Sequence, residues 1–383
     1  MHYVVPRSPT LWSSRIRDAT AHAHDPRMHQ THNTRTHNRL AVVLAVGSTL
    51  VASVMGVGAG QPVGATPPGV NGRISFMRID ADGHWQIWTA NPDLTASHQI
   101  TNGDYDSGWA VWSPDGTRLA FHSPRDDSNH TDAISDIFVM DADGTDVTKL
   151  THSVDWSETP TWSPTGDTIA FSSTNFADPS QQGIYVVRSD GTGMRRVTAP
   201  PTGTGRDYYL VSPRFSPDGR SLVYTSIRAG NEVPHGYRGE VTALYVVGVD
   251  GSDPHRITPW GITPGDADWS PDGQQIVFET ITEHLGNGAS VMVVNRDGGG
   301  LHALTRDAGI TGIGRWESLQ FEASFDPVWS PDGTQIMFSH DLKTVDGVQT
   351  GLQVISPDGT GQQWVSDLRH HEHQVDWGTA PLE

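Results

Sequence analysis

A five-residue motif that recurs along the chain limits the possible folds more than any other feature of the sequence. It reads WSPDG at Trp112–Gly116, Trp269–Gly273 and Trp329–Gly333, and it varies to WSPTG at Trp162–Gly166 and FSPDG at Phe215–Gly219. Proline presets φ, aspartate tolerates the next turn position and glycine supplies a positive φ, so each copy predicts a tight turn. The copies follow one another at intervals of 50 to 60 residues, and such a period is typical of propellers and solenoids.

Each copy of the motif opens a unit with the same order of segments. An apolar strand such as Leu119–Phe121 comes first, and after a loop there is a β-branched or aromatic run such as IFVM at 137–140. A glycine turn then leads to a short strand such as KLT at 149–151. Together with the strand that ends in the aromatic residue of the motif, this order predicts four short strands per unit.

The two ends of the repeat region complete each other. Strand-like segments from Arg73, Trp85 and His98 have no motif before them, and Val375-Asp376-Trp377 has no unit after it. Five continuous units and this one composite unit predict an all-β, six-bladed β-propeller over residues 72–383. Pairing of the N- and C-terminal strands in the composite blade closes the ring and removes free sheet edges.

The repeats resemble the TolB-type β-propeller repeat, which combines a WSPDG turn, an I-A-F strand and a DG…LT ending. The resemblance covers about 310 residues and implies the propeller fold. The family includes TolB, which has an additional α/β domain and a role in the Tol–Pal system of the cell envelope. It also includes domains of prolyl-oligopeptidase-like peptidases and of polysaccharide-acting enzymes, so the resemblance leaves more than one function open. This sequence lacks a segment for the α/β domain between its apolar stretch and its first strand.

The N-terminal region has the composition of an export signal. Residues 1–39 are rich in Arg and His, Leu40–Gly60 carries no charge, and small residues lead to possible cleavage points after Ala59 or Ala65. This order is typical of a signal peptide, and it predicts a secreted, periplasmic or cell-envelope protein. An uncleaved membrane anchor is the alternative, because 21 apolar residues can span a bilayer; the rest would then be a sensory or structural ectodomain. The predicted divisions are a basic extension at 1–39, a signal segment at 40–65, a linker at 66–71 and the propeller at 72–383.

Composition narrows the classes of partner. The chain has 25 Lys and Arg against 44 Asp and Glu, a net charge of −19 and no Cys. A surface of this sign repels nucleic acid and anionic lipid, so we expect neither as a partner once the signal is removed. The lack of cysteine excludes disulfides and thiolate metal sites. Closed propellers of this size are expected to be monomers.

Binding is expected at the rim opposite the motif turns, where loops of variable length precede each innermost strand. Aromatic, arginine and carboxylate side chains in these loops fit recognition of a protein, peptide or glycan. Packing between blades is the alternative role for Trp109, Trp156 and Trp316. The residues predicted to line this rim are Tyr105, Trp109, Asp155, Trp156, Arg206, Tyr208, Arg315, Trp316 and His371.

Two sets of residues are candidates for metal binding. Acids just before each innermost strand could ring the mouth of the channel and hold a hard cation such as calcium; a solvated acidic rim or aspartates that cap turns are the alternatives. His371 and His373 stand at alternate strand positions, so with a carboxylate they could bind a transition metal; exposed loop histidines are the alternative. The predicted acids are Asp106, Glu158, Asp207, Asp266, Asp326 and Asp376.

The sequence favours a non-catalytic binding or scaffold protein that needs no cofactor. It contains no G-x-S-x-G nucleophile elbow and no phosphate-binding loop. The alternative function is that of a metal-assisted polysaccharide lyase or hydrolase that uses His371, His373 and rim carboxylates. Convergence of these histidines and acids at the channel mouth would favour the enzyme.

Overall fold

The structure is a computed structural model that describes residues 69–126, 134–152, 156–175, 178–201, 208–229, 241–280, 289–305, 321–344, 347–368 and 370–383. These residues form 24 β-strands and one short 3-10 helix, Pro179–Gln181. In these ranges no helix has the length and apolar character needed to cross a bilayer. The predicted extension and signal segment, residues 1–65, lie outside the described residues and stay predictions, as do the domain boundaries.

The strands form six antiparallel sheets of four strands each, which are the blades of a propeller. Blade 1 consists of β24 (His373–Trp377), β1 (Ile74–Ile79), β2 (Trp85–Ala90) and β3 (His98–Gln99). Blade 2 consists of β4 (Gly108–Trp112), β5 (Arg118–Ser123), β6 (Asp136–Asp141) and β7 (Thr148–Lys149). Blade 3 consists of β8 (Trp156–Trp162), β9 (Thr168–Thr174), β10 (Gly183–Arg188) and β11 (Arg195–Thr198).

The other three blades repeat this order from the inside outward. Blade 4 consists of β12 (Tyr208–Phe215), β13 (Ser221–Arg228), β14 (Val241–Gly248) and β15 (His255–Arg256). Blade 5 consists of β16 (Pro264–Trp269), β17 (Gln275–Thr280), β18 (Ser290–Asn295) and β19 (His302–Ala303). Blade 6 consists of β20 (Phe321–Trp329), β21 (Ile336–Thr344), β22 (Gly347–Ile355) and β23 (Gln363–Trp364). The first-named strand of each blade is the innermost one, and neighbouring innermost strands contact each other around a central channel.

The repeated motif forms the turn between the first and second strands of a blade. In blade 2, the Gly116 N–H donates to the Ser113 carbonyl at 2.9 Å, and Gly116 has a φ of 69°. The Ser113 hydroxyl donates to the Asp115 carboxylate at 2.6 Å, and the same carboxylate accepts the Thr117 N–H at 3.1 Å. The motif aspartate therefore holds its own turn, as the turn prediction required.

The aromatic residue of the motif packs between blades. Trp162 of blade 3 lies in one buried cluster with Val111 of blade 2, and its indole N–H donates to the Val111 carbonyl at 3.1 Å. In the same way, Trp269 of blade 5 donates to the Arg214 carbonyl of blade 4 at 3.3 Å. Full burial of a large apolar side chain contributes on the order of 2–3 kcal/mol, so the repeated aromatic residue stabilises each blade-to-blade contact.

The ring closes through blade 1. Strand β24 pairs with β1, with Ile74 opposite Trp377 and Ser75 opposite Asp376. Beyond the strands, the Arg73 N–H donates to the Ala380 carbonyl at 2.9 Å and the Gly72 N–H to the Gly378 carbonyl at 3.0 Å. The predicted six-bladed, all-β propeller with a composite closing blade is confirmed.

Candidate functional site at the channel mouth

Each innermost strand carries a β-bulge at the same point. Two residues of the innermost strand bulge out where the pairing with the second strand shifts, for example between Gly108 and Val111 in blade 2 and between Glu158 and Thr161 in blade 3. The same shift occurs in the other four blades. We call the first bulged residues the channel ring: Trp109, Thr159, Ser212, Asp266, Asp326 and Gln374. All six line one central cavity.

The backbone of the channel ring is strained. Five of its residues, all except Asp266, have φ values between 47° and 55° although none of them is glycine. A left-handed backbone costs an L-residue roughly 1–2 kcal/mol, and such strain tends to be retained where it positions functional groups. Here the bulge turns one side chain per blade toward the channel.

Hydrogen bonds link ring residues of adjacent blades. The Ser212 N–H donates to Thr159 Oγ1 at 3.3 Å, and the Ser212 hydroxyl donates to Asp266 Oδ1 at 2.6 Å. Farther round the ring, the Gln374 N–H donates to Asp326 Oδ2 at 3.1 Å. These bonds hold the Thr159, Ser212, Asp266 and Asp326 side chains against a neighbouring blade, so this part of the ring is preorganised.

Three carboxylates meet on one side of the ring. Ligand oxygens of Asp266, Glu279 and Asp326 all lie within 4.8 Å of one another, and we call these residues the acid cluster. Glu279 belongs to β17, is 2% exposed, and accepts the Asp326 N–H through Oε2 at 2.7 Å. Sequence reasoning missed Glu279, although an acid in the apolar strand IVFET was a signal that could have identified it.

An ion pair crosses the channel next to the ring. Arg214 of blade 4 and Asp376 of blade 1 each stand two positions after a ring residue, and both line the same cavity. Arg214 Nη1 donates to Asp376 Oδ1 at 3.3 Å, and Asp376 Oδ2 accepts the Trp112 N–H at 2.9 Å. Burial raises the pKa of Asp376, while the Arg214 guanidinium and the Trp112 N–H lower it in part.

Trp109 is the aromatic member of the ring and stands in blade 2, opposite Asp266 of blade 5. Its indole lies 5.1 Å from the His122 imidazole, centroid to centroid, with the planes tilted by 36°. Burial lowers the pKa of His122 to about 3, so this imidazole is neutral under the indole at physiological pH. The channel mouth therefore has an aromatic wall facing an acidic one.

The structure distributes the predicted rim residues unevenly. Among those that it describes, Trp109 lines the channel cavity, whereas Tyr105, Trp156, Tyr208 and His371 do not. Tyr208 is 4% exposed, and its hydroxyl accepts from Arg228 Nη2 at 3.1 Å. The backbone of Trp156 forms an isolated parallel β-bridge with Ser135 of blade 2. Asp155, Arg206, Arg315 and Trp316 lie outside the described residues.

The predicted ring of six acids takes a different form in the structure. Asp266 and Asp326 belong to the channel ring, Glu158 immediately precedes a ring residue, and Asp376 lies two positions beyond one. Asp106 is exposed at the start of blade 2 and accepts the Trp85 N–H at 2.9 Å, while Asp207 lies outside the described residues. The acids are spread along the strands because the bulge position determines which residue faces the channel.

The two predicted metal-binding histidines pack against protein groups. His373 is 5% exposed and lies between the rings of Trp85 and Phe325, at centroid distances of 5.3 Å and 6.1 Å. His371 Nδ1 lies 3.1 Å from Thr350 Oγ1. Within the described ranges, the acid cluster is the one group of three metal-ligating side chains, and it contains neither histidine.

Comparisons with known proteins agree with this architecture. The sequence matches the family described as the TolB beta propeller domain over residues 71–232 and 178–380.

The "Uncharacterized peptidase YuxL" of Bacillus subtilis is 27% identical over 218 residues, covering 50% of this chain and 31% of that protein. The "Protein TolB homolog" of Chlorobium luteolum is 32% identical over 149 residues, covering 39% of this chain and 30% of that protein. This chain thus spans about a third of the length of either relative. The crystal structure of TolB from Acinetobacter baumannii shares the fold with a TM-score of 0.59 at 18% identity, covering 82% of this chain and 68% of that one.

Proposed function

The chain belongs to the TolB β-propeller domain family, and on that premise we propose that it is an exported, non-catalytic binding scaffold whose channel mouth receives a segment of a partner protein. The propeller supplies a rigid frame, and the channel ring supplies the contacts. Rigid scaffolds that present variable groups at one end are common sites of molecular recognition.

The diversity of the channel ring carries this proposal. The motif turns repeat almost unchanged around the molecule, and so does the bulge. The six ring side chains vary from blade to blade, because an indole, two hydroxyls, two carboxylates and an amide occupy equivalent positions. A purely structural role would be served by one residue type in every blade. Four kinds of chemical group, distributed unevenly around one cavity, support recognition of a particular, asymmetric ligand.

The character of the cavity supports a protein segment as that ligand. Trp109 offers an aromatic surface of the kind that dominates binding energies at protein interfaces. Ser212 and Gln374 place polar groups around it, and such groups suit the amide and carbonyl groups of a peptide backbone. A cavity with an apolar wall and a few convergent polar groups is the usual form of a specific binding site.

Capture of partners with matched variants tests the proposal. The immobilised protein is incubated with envelope proteins of the organism that produces it, and enriched proteins are quantified by mass spectrometry. Trp109→Ala should reduce recovery of the specific partner at least tenfold, since loss of a central tryptophan commonly costs about 2 kcal/mol or more. Trp364→Ala is the control, because Trp364 is exposed on the outer strand β23, away from the channel.

The binding proposal is overturned if Trp109→Ala and Ser212→Ala recover the same proteins, in the same amounts, as the unmodified chain. Thermal unfolding of each variant establishes that the propeller is intact before capture is compared.

The location of the protein is tested separately. We propose that the chain is exported to the cell envelope or exterior, and the support is the order of basic, apolar and small residues over 1–65. Mass spectrometry of the protein isolated from its producing cells should find a mature N-terminus near Ala59 or Ala65. A chain that keeps residues 1–39 and fractionates with the cytosol would overturn the export proposal and leave the binding test unaffected.

A further inference from the structure

Blade 4 carries a stack in which aromatic and arginine side chains alternate, and we propose that this stack binds an acidic segment of a partner protein. The Cζ of Arg228 lies 4.8 Å from the centroid of the Tyr208 ring and 4.5 Å from that of the Trp260 ring. The Cζ of Arg256 lies 5.4 Å from the same Trp260 centroid. We call these four residues the arginine stack. It shares no residue with the channel ring, so the inference goes beyond the proposed channel-mouth function.

The pairing of three strands places the arginine stack on one face of blade 4. Tyr224 of β13 stands opposite Tyr245 of β14, and Tyr245 stands opposite Arg256 of β15. Arg228 stands four positions after Tyr224 on β13, so both side chains point to the same face. The Tyr224 and Tyr245 rings stack at 5.8 Å, and the Tyr245 and Trp260 rings lie 6.3 Å apart. A row of aromatic rings therefore leads from the core to the outer edge of the blade.

The outer end of the arginine stack faces solvent. Arg256 is exposed on β15, the outermost strand, and Trp260 and Tyr245 are half-buried. Burial raises the pKa of Tyr245, while Arg228 and Arg256 lower it in part, so both guanidiniums act on the same phenol. Two positive charges thus lie against one indole at the surface of a chain whose net charge is −19.

Neither arginine of the stack is neutralised by a carboxylate of the described residues. In those ranges, the arginines that pair with a carboxylate are Arg73, Arg78 and Arg214. Arg228 Nη2 donates to the Tyr208 hydroxyl at 3.1 Å, but its Nε is buried and has no hydrogen-bond partner among the described residues. Buried N–H groups are nearly always paired, so the guanidinium has donor capacity that this part of the chain leaves unused. An anion from outside the chain would supply the missing charge.

The chemistry of the arginine stack fits carboxylates on a protein segment. A guanidinium that stacks on a ring keeps N–H groups at its edge for bidentate pairing with a carboxylate. Arginine, tyrosine and tryptophan are also the residues that dominate binding energies at protein interfaces. A glycan would stack on the face of an indole, and the two guanidiniums already lie over the Trp260 ring. An extended polyanion such as nucleic acid is repelled by the net charge of the whole chain, whereas a short acidic segment meets mainly the local charge because salt screens the rest.

Binding of a short acidic peptide to the purified full-length protein tests the proposal. The probe is a fluorescein-labelled peptide in which glycine and glutamate alternate, and fluorescence anisotropy measures its binding. We expect saturable binding that weakens at least about fivefold when NaCl is raised from about 50 to about 300 mM, because salt screens exposed charges. The same peptide with glutamine in place of glutamate should bind at least about tenfold more weakly, since it cannot form charge-assisted hydrogen bonds.

Variants assign the binding to the arginine stack. Arg256→Gln changes an exposed side chain, so it should fold, and it should weaken peptide binding at least about fivefold. Arg118→Gln is the matched control, because Arg118 of blade 2 also lies over a tryptophan, 4.9 Å from the Trp162 centroid, but its charge already acts on Asp115. This variant removes the same charge and should bind the peptide like the unmodified chain.

Three results would contradict the proposal. The first is the lack of saturable binding at about 1 mM peptide, and the second is equal peptide affinity of Arg256→Gln and Arg118→Gln. The third is displacement of the probe by a uronic acid hexasaccharide at a lower concentration than the unlabelled peptide requires, which would assign the stack to a glycan. Trp109→Ala changes the channel ring and should leave peptide binding unchanged, so failure here and failure of the channel-mouth proposal are distinguishable.

Discussion

Arg214 and Asp376 form an ion pair at 3.3 Å across the central channel, although they belong to blades 4 and 1 on opposite sides of the ring. The second oxygen of Asp376 accepts the Trp112 N–H of blade 2 at 2.9 Å. One pair of side chains thus ties three blades together beside the channel ring. Because blade 1 is also the blade that closes the propeller, this pair links ring closure to the far side of the channel.

Loss of the arginine should destabilise the propeller. Arg214→Met leaves the Asp376 carboxylate largely buried without its cation, and breaking such a pair costs about 3 kcal/mol. Urea unfolding at pH 7 measures the change in the free energy of unfolding. The double variant Arg214→Met/Asp376→Asn should recover part of the loss, because no buried charge then lacks a partner. The structure indicates that the two residues are coupled. If the double variant loses as much stability as Arg214→Met and Asp376→Asn lose together, that coupling is absent.

The effect of Arg214→Met should also depend on pH. Burial raises the pKa of Asp376, and Arg214 limits that rise, so the pKa in the variant should be higher still. When the pKa of an acid is higher in the folded protein than in the unfolded chain, the acid destabilises the fold at neutral pH. This destabilisation is complete above the folded-state pKa and disappears below the unfolded-state pKa. The loss caused by Arg214→Met should therefore be largest at neutral pH and should shrink as the pH falls toward about 4. Unfolding at pH 7, 5.5 and 4 measures this, and an equal loss at all three values would contradict it.

His122 should make the protein sensitive to acid. Burial lowers its pKa from 6.5 to about 3, so below pH 6.5 the unfolded chain binds a proton that the folded chain excludes. Stability should then fall by up to about 1.4 kcal/mol per pH unit between these two values. His122→Phe keeps an aromatic ring beneath Trp109 and should flatten this slope between pH 6 and pH 4. His255→Phe changes an exposed histidine and should leave the slope unchanged; equal slopes in both variants would argue against the effect of burial.

Two equivalent motif glycines should differ in their tolerance of a side chain. Gly116 and Gly166 have similar φ values, 69° and 73°, so alanine strains the backbone by roughly 1–2 kcal/mol at either site. A Cβ on Gly116 would lie 2.5 Å from the Cα of Ala380, whereas a Cβ on Gly166 meets nothing closer than 3.6 Å. Gly116→Ala should therefore lower Tm clearly more than Gly166→Ala, because it displaces the segment that follows the closing strand. Equal shifts in thermal unfolding would show that this segment moves aside freely.

Much of the fold follows from chemistry that acts over a few residues. The sequence predicts the Ser113-to-Asp115 turn and its copies, and it predicts the four-strand units. It also predicts that the strand ending at Trp377 pairs with a strand at the other end of the chain. The blade number and the composite closing blade are confirmed for this reason. The resemblance to the TolB-type repeat is likewise confirmed, since the family match covers residues 71–232 and 178–380.

The candidate site could be predicted only in part. Trp109, Asp266 and Asp326 were expected near the channel mouth, and all three line the cavity. Glu279 was not expected, because its strand looks like ordinary core in the sequence. Tyr208 was expected at the rim but is buried under Arg228, since its position at the start of a strand does not reveal what covers it.

The turns, the strands and their order can therefore be predicted from the sequence, because residues that are neighbours in sequence produce them. The channel is different, since its contacts join residues that are far apart. The Asp326 N–H reaches Glu279 across 47 positions, and Arg214 reaches Asp376 across 162. A single bulge in each innermost strand selects which side chain enters the channel, and ring closure determines which of them meet. Both depend on the assembled propeller, because strand register and distances across the channel are defined only when all six blades are in place.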